Sequence, residues 1–280
     1  MSYESVVLTA DWGGESPRTA QVIGCVKQAD PSLEVCPAHI WLGQQDIGQA
    51  SGMLYAMLPF WPAGTVFLNL VHAAEGETAW LAAVMKCGCI LLTPDNGSIT
   101  MPLRVLGVSG LYRISGETDD FRAARLAGEI ARNGLSAGLL GQPVEEGEIC
   151  QLPWTEPVLA PGRASGVIVQ VMQNFGNLTT NIPISAFQTT GIQAGDWVRL
   201  TVTRGGQPLF DQEALYHHSF GFAEDGAPIV FNGSSGFMGF GLNRRNFVKT
   251  YLSQLEQPGQ TPTEYQVSIV KVDRSVQDEK

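Results

Sequence analysis

The sequence has few charged residues and no cluster of basic ones, and both shortages exclude classes of function. Asp and Glu number 27 against 17 Lys and Arg, and charged residues make up 16% of the 280. No more than two basic residues stand together, at Arg244-Arg245. Because nucleic acids and anionic membrane surfaces are bound by clustered Lys and Arg, we expect neither as a partner.

Long apolar runs are also missing, since no segment reaches the roughly 18 uninterrupted apolar residues that cross a bilayer. Residues 1–5 lack the basic start of a secretory signal, which predicts a cytoplasmic protein. The five cysteines are an odd number, as expected for reduced thiols that are mostly buried. Cys87 and Cys89 are too close for a zinc knuckle and have no second Cys/His pair, so no metal site is predicted.

The familiar catalytic motifs are absent as well. The chain has no Gly-rich phosphate loop ending in Gly-Lys-Ser/Thr, no Gly-x-Ser-x-Gly turn and no paired histidines on a helix. His217 and His218 are adjacent, and on a strand they would point to opposite faces and could not share one ion. Asp119 and Asp120 are interpreted first as caps of the helix that follows, and second as paired carboxylates.

What the chain does have is apolar residues (44%) and 32 glycines, enough for a large core, which excludes disorder and coiled coil. Over residues 1–150, strands are predicted near 6–9, 64–71 and 89–93, and helices near 19–28, 47–58 and 121–132. This order predicts an α/β domain. Ligands of such sheets bind at the carboxyl ends of strands, where Asp11 and His72 stand.

The second part of the chain has a different composition, with a proline-rich stretch followed by short β-rich runs. Three prolines in residues 151–162 predict a linker over 151–165. After it, over residues 166–280, short β-rich runs near 166–172, 197–203, 228–231 and 265–272 are separated by turn residues. We therefore predict an all-β, barrel-like C-terminal domain, either a small antiparallel barrel or a sandwich.

Two turn-like strings in this second domain are candidate ligand contacts. Residues 175–181 read Phe-Gly-Asn-Leu-Thr-Thr-Asn, which is either a hairpin or a ligand edge where Phe175 stacks and the Asn177 amide forms hydrogen bonds. Residues 232–236 read Asn-Gly-Ser-Ser-Gly and include Ser234. This string is either a plain turn or a set of amides and hydroxyls offered to an anionic group.

These two strings, together with residues 8–13 (Leu-Thr-Ala-Asp-Trp-Gly), 62–66 and 94–97, have the order and spacing of one family. The chain resembles the S-adenosylmethionine hydroxide adenosyltransferases and their fluorinase and chlorinase relatives, over nearly its whole length. The resemblance implies an α/β domain, a β-barrel domain, and a homotrimer whose sites lie between neighbouring subunits. It also implies that Asp11 holds the ribose hydroxyls of S-adenosylmethionine, with Phe175 and Asn177 beside the adenine.

The chain departs from the family pattern where the chemistry would lie. The resemblance places a water-activating aspartate, arginine and histidine in the hydrolases, and this chain has His72 at the aspartate, Ala79 or Trp80 at the arginine and Gly116 near the histidine. Glu75 would put a carboxylate in the halide pocket of the relatives and repel a halide. The aspartate expected to hold the methionine ammonium is replaced by Gln173 and Asn174.

Aromatic and methionine residues near these positions are core residues by default, or else the walls of a pocket for a large apolar guest. The pocket interpretation gives the main hypothesis, a cofactor-free biosynthetic cyclase that folds a bulky polyene- or polyketide-like substrate for intramolecular cycloaddition. The predicted substrate contacts are Trp12, Trp61, Trp80, Met172 and Phe237, with His72, Gln173 and Asn174 as polar groups.

Two other hypotheses belong to different classes. In the first, the chain cleaves S-adenosylmethionine as an adenosyltransferase or hydrolase with a rewired site, in which His72 is a general base and Glu75 orients it. In the second, it is a non-catalytic binding or scaffold protein that has kept the trimer and lost the site. Incubation with S-adenosylmethionine separates the first hypothesis from the other two.

Overall fold

A computed structural model describes residues 5–12, 16–38, 46–72, 79–116, 118–172, 174–257 and 262–273. The chain divides into two compact units, residues 1–152 and 153–280. Among the described residues, no helix is both long and apolar enough to cross a membrane.

The first unit is built on a mixed sheet of seven strands. They are β1 (Ser5–Ala10), β2 (Glu34–Pro37), β3 (Val66–Leu70), β4 (Trp80–Met85), β5 (Ile90–Pro94), β6 (Val108–Arg113) and β7 (Gln142–Pro143). Their order across the sheet is β2-β1-β3-β5-β4-β6-β7. β1, β2, β3 and β5 are parallel, whereas β4 is antiparallel to β5 and pairs Trp80 with Pro94. Trp80 therefore begins β4 at the edge where β5 ends.

Helices cover both faces of this sheet, so the predicted α/β domain is confirmed. The helices are α1 (Pro17–Ala29), α2 (Ile47–Met57), α3 (Asp120–Asn133) and α4 (Ala137–Leu140). Along β3 the apolar side chains alternate: Leu68 packs with α1 and α3 on one face, and Phe67 packs with α2 on the other. α1 and α3 approach closely at Gly128, where a Cβ would lie only 2.5 Å from the carbonyl oxygen of Val26.

The start of α3 separates the two aspartates that were predicted to cap it. Asp119 is the N-cap, and its carboxylate accepts a hydrogen bond from the backbone N–H of Arg122 at 2.7 Å. Asp120 is the first helical residue, and its buried carboxylate contacts other elements instead. The helix ends at Asn133, and the residue after it, Gly134, has a φ of 75°, which places it in the left-handed region.

The second unit is a closed β-barrel, as predicted. Its strands are β8 (Val158–Ala160), β9 (Arg163–Met172), β10 (Asn177–Pro183), β11 (Trp197–Arg204), β12 (Gln207–His217), β13 (Pro228–Asn232), β14 (Phe237–Leu242) and β15 (Tyr265–Lys271). Seven strands close the ring in the order β9-β10-β14-β13-β12-β11-β15, and β8 pairs with the outer edge of β9. Only the β12–β13 pairing is parallel within the described barrel. Short helices α5 (Ile184–Phe187) and α6 (Phe247–Tyr251) complete the unit.

Residues 151–165, predicted as a linker, form hydrogen bonds with both units. The backbone N–H of Leu152 donates to the Thr100 hydroxyl at 2.9 Å within the first unit. The carbonyl of Thr155 accepts a hydrogen bond from the Asn181 amide at 2.6 Å within the barrel. Strand β8 and the first residues of β9 also fall in this stretch.

Two expectations from the sequence are wrong. The five cysteines are free thiols, but only Cys89 is buried and Cys150 is exposed, so most are not core residues. The rings of His217 and His218 lie side by side, with centroids 4.2 Å apart, instead of on opposite faces. The reason is that β12 ends at His217, so the alternation of a strand no longer governs His218.

Candidate active site

The carboxyl edge of the N-terminal sheet gathers Asp11, Trp12 and His72. β1 and β3 are parallel neighbours in which Ala10 pairs with Leu70, so the residues that follow the two strands leave the sheet side by side. Asp11 and Trp12 are half-buried, and 38% of the His72 side chain is exposed. The edge thus offers an imidazole that solvent or a ligand can reach.

A buried carboxylate holds this imidazole. Nε2 of His72 lies 2.5 Å from Oδ1 of Asp120, and the Asp120 side chain is only 3% exposed. The second carboxylate oxygen, Oδ2, accepts hydrogen bonds from Nη2 and Nε of Arg18 at 2.5 and 3.0 Å. Three residues from the loop after β3, the start of α3 and the start of α1 therefore form one charged cluster.

The cluster determines the ionisation of Asp120. Burial alone raises the pKa of this carboxyl, but the hydrogen bonds and charges of His72 and Arg18 outweigh burial, and the net pKa lies below its usual value. Asp120 is consequently an anion at neutral pH. An anion this deeply buried is tolerated because both of its oxygens have cationic or polar partners.

Aromatic rings surround the cluster. The Trp80 ring is 2% exposed and meets the His72 ring edge-on, with centroids 5.8 Å apart. The Arg18 guanidinium lies over Trp12 at 5.1 Å and near Phe121 at 5.5 Å, as in cation–π pairs. The Trp12 indole N–H donates to the Thr19 hydroxyl at 3.0 Å. The polar groups are therefore held in fixed orientations by packed rings.

A buried hydrogen-bond network connects three of the four parallel strands, β1, β3 and β5, next to this edge. Oδ1 of Asn69 accepts from the Thr9 hydroxyl at 2.9 Å, and its Nδ2 donates to the hydroxyls of Thr93 and Ser98 at 3.0 and 3.1 Å. All four residues are at most 2% exposed. The network thereby fixes the C-terminal ends of β1, β3 and β5 relative to one another. It also fixes the starting points of the loops that carry Asp11 and His72.

The predicted ligand string of the barrel forms the hairpin between β9 and β10, and its tip is exposed. Met172 is 45% exposed and Phe175 is 64% exposed. Asn174 is exposed as well. The backbone N–H of Gly176 donates to the Met172 carbonyl at 2.7 Å, and Asn177 packs its amide against Gly241. Phe175 is thus free of the barrel core, as stacking on a ligand requires.

The remaining predicted contacts are dispersed or fall outside the described residues. Ser234 is exposed in the turn between β13 and β14, and Phe237 is buried at 2%. Trp61 precedes β3 and packs edge-on against Phe67, so it lies at the opposite end of that strand from His72. Glu75 and Gln173 lie outside the described residues.

The sequence analysis did not single out Arg18, and it named Asp120 only as a helix cap or as one of two paired carboxylates, not as a partner of His72. Arg18 and Asp120 are 102 positions apart, and no spacing rule connects them. The available signal was the Asp119-Asp120 pair, since one capping carboxylate suffices for a helix and the second was free for another contact. No group of three or more His, Cys, Asp or Glu side chains suited to a metal ion occurs in the described part of the chain.

The fold is that of a two-domain protein, an α/β sheet domain followed by a closed β-barrel, and each of the two domains matches a domain of one known family. Residues 6–128 match the N-terminal domain of the SAM hydroxide adenosyltransferases, and residues 167–258 match their C-terminal domain. The chain belongs to the SAM hydroxide adenosyltransferase family.

Individual relatives are distant but collinear. The chain is 23% identical to a fluorinase from Actinopolyspora mzabensis, over 88% of this chain and 93% of that protein. It is 26% identical to an (R)-S-adenosyl-L-methionine hydrolase from Thermus thermophilus, over 85% of this chain and 92% of that protein. A solved structure of an uncharacterised conserved protein from Thermotoga maritima shares the fold, with a TM-score of 0.77, 23% identity and coverage of 95% of this chain and 99% of that one.

Proposed function

We propose that this protein cleaves S-adenosylmethionine by adenosyl transfer to a nucleophile that carries a proton, with water as the first candidate. Membership of the family supports the substrate. The observation that carries the proposal is the His72 imidazole, partly exposed at the carboxyl edge of the sheet and held on one side by Asp120. A histidine held in this way has the properties of a general base.

The chemistry is a displacement at the 5′ carbon of the adenosyl group. A water O–H loses its proton to His72 while the oxygen bonds to C5′, and the C5′–S bond breaks with its electron pair going to sulfur. The products are adenosine and neutral methionine, and the proton is released later from the imidazole. A halide needs no base, so an imidazole placed by a buried carboxylate favours a protonated nucleophile over a halide.

The residue types in the cluster also favour this function. The resemblance implies an aspartate, an arginine and a histidine around the water in hydrolases of the family. This chain assembles the same three types from other positions, Arg18, His72 and Asp120. We propose that they replace the missing set, and that Asp11, Phe175 and Asn177 contact the adenosyl group as the resemblance implies.

The cyclase hypothesis has no support among the relatives, whose names are those of fluorinases and a hydrolase. The walls predicted for its pocket within the first unit also lie apart, since Trp61 and Trp80 pack on opposite faces of the sheet. The homotrimer and the cytoplasmic location stay predictions.

Incubation of the purified protein with S-adenosylmethionine tests the function directly. We expect adenosine and methionine in equal amounts by liquid chromatography, and replacement of His72 by Ala should slow their release by about 100- to 10,000-fold, the usual contribution of a general base. His218→Ala is the matched control, because His218 is an exposed histidine of the barrel. Absence of adenosine and of any 5′-substituted adenosine, or an H72A variant as fast as the wild type, would rule out the proposal.

A further inference from the structure

We infer that Asp120 and Arg18 form a positioning pair that keeps the proton of neutral His72 on Nε2 and makes Nδ1 the nitrogen that accepts the proton of the nucleophile. The inference rests on the proposed function for its chemical meaning. Its structural content, which nitrogen bears the proton, is independent of any substrate.

The first step is the state of Asp120. Each of its oxygens has its own partner, Oδ1 with His72 and Oδ2 with both Nε and Nη2 of Arg18. Two donors from one guanidinium hold the carboxyl group in its charged form. Among the described residues, His72 and Arg18 are the charged or titratable side chains that act on this carboxyl.

The second step follows from hydrogen-bond chemistry. An ionised carboxylate has only acceptors, so the atom that faces Oδ1 must be a donor. Nε2 of His72 therefore carries a hydrogen whether the ring is neutral or charged. In the neutral ring the lone pair is then on Nδ1, and this atom is the base.

The third step concerns the fixed orientation of the pair. The Arg18 guanidinium is stacked against Trp12 and Phe121, and the backbones of α1 and α3 meet closely at Gly128. The Trp80 ring limits rotation of the imidazole on another side. Arg18 thus acts through Asp120, and Asp120 acts through His72, and neither is required to touch the substrate.

Nitrogen-15 NMR of histidine-labelled protein, recorded without substrate at a pH where His72 is neutral, tests the inference. The chain has four histidines, and the spectrum of His72→Gln assigns the His72 signals by their loss. We expect the Nε2–H tautomer in the wild type. In Asp120→Asn the side chain offers a donor as well as an acceptor, so Nδ1–H should become populated, and kcat should fall by about 100-fold or more with little change in KM.

Arg18→Gln is the second variant, because 47% of the Arg18 side chain is exposed and its loss leaves the core intact. In this variant the carboxyl carbon of Asp120 should titrate at a higher pH than in the wild type, and Arg18→Lys should restore part of the difference. Asp225→Asn, at an exposed ion pair of the barrel, is the matched control and should leave the His72 tautomer unchanged.

The outcomes separate the two proposals. An Nδ1–H tautomer in the wild type, or an unchanged tautomer in Asp120→Asn, would overturn the positioning role even if S-adenosylmethionine is cleaved. Nε2–H in the wild type with a shift in Asp120→Asn would support the positioning role even if no cleavage is detected, in which case only the proposed function fails.

Discussion

At the scale of single residues, the site depends on polar side chains that are buried and fully paired. Asn69 is the clearest example, because its one amide bonds to side chains from β1, from β5 and from Ser98 beyond it. A strand residue whose side chain links its two neighbours in the sheet fixes the ends of all three strands. The loops that carry Asp11 and His72 are positioned by these strand ends, since Asp11 follows Thr9 and His72 follows Asn69 within three residues.

Replacement of Asn69 by Ala should therefore destabilise the protein strongly. The change removes three hydrogen bonds and leaves buried hydroxyls with fewer partners, which we expect to lower the free energy of unfolding by about 2–4 kcal/mol. Urea denaturation followed by circular dichroism measures the loss. Asn133→Ala, at the exposed end of α3, should change it by less than about 0.5 kcal/mol. Equal effects of the two variants would show that the network contributes little.

The same scale shows where prediction from the sequence stops. His72 was found because a polar residue after a buried strand is a local pattern. The contact of Asp120 with His72 was not predicted, because a carboxylate at a helix start has a sufficient local explanation in capping, which Asp119 in fact provides. Contacts between residues that are distant in sequence require the packing of α1 on α3, and no pattern along the chain encodes it.

At the scale of elements, the turn of the β9–β10 hairpin depends on a glycine whose position has no room for a Cβ. Gly176 has a φ of 69°, and a Cβ there would collide with the amide of Asn246. That amide is also the N-cap of α6, where its oxygen accepts from the backbone N–H of Lys249 at 2.8 Å. The sequence analysis gave a hairpin as one of two interpretations of the string that contains Gly176 and Asn177, but the docking of the turn on α6 is a tertiary feature.

Replacement of Gly176 by Ala should have two additive costs. The left-handed conformation costs about 1–2 kcal/mol for a residue with a Cβ, and displacement of Asn246 should add a similar amount through strain and the lost cap. Gly191→Ala is the matched control, since Gly191 has a φ of 77° and open space around its Cβ position. Thermal unfolding of both variants measures the difference, and a Gly176→Ala variant as stable as Gly191→Ala would contradict the close docking.

At the scale of the whole molecule, the division of the chain follows from its apolar cores, since no core cluster of the described residues draws on both units. The barrel core collects buried residues from Ala164 to Ile269, and the cores of the sheet unit draw only on residues before 153. In the sequence, the prolines of residues 151–162 and the β-rich runs after them were the basis for predicting two domains. Closure of the barrel was beyond local patterns, because it depends on β9 pairing with β10 on one side and β15 on the other.

We therefore expect residues 153–280 to fold when produced alone. All seven ring strands, both short helices and the aromatic cluster of Phe210, Phe240 and Phe247 lie in this segment, so its core is complete without the first unit. A closed ring also leaves little unpaired strand edge to aggregate. The fragment should show a β-rich circular dichroism spectrum and one cooperative thermal transition, and Phe240→Ala should lower its midpoint because large-to-small core changes cost about 3–5 kcal/mol. A fragment that unfolds without cooperativity would mean that the barrel depends on the first unit for its stability.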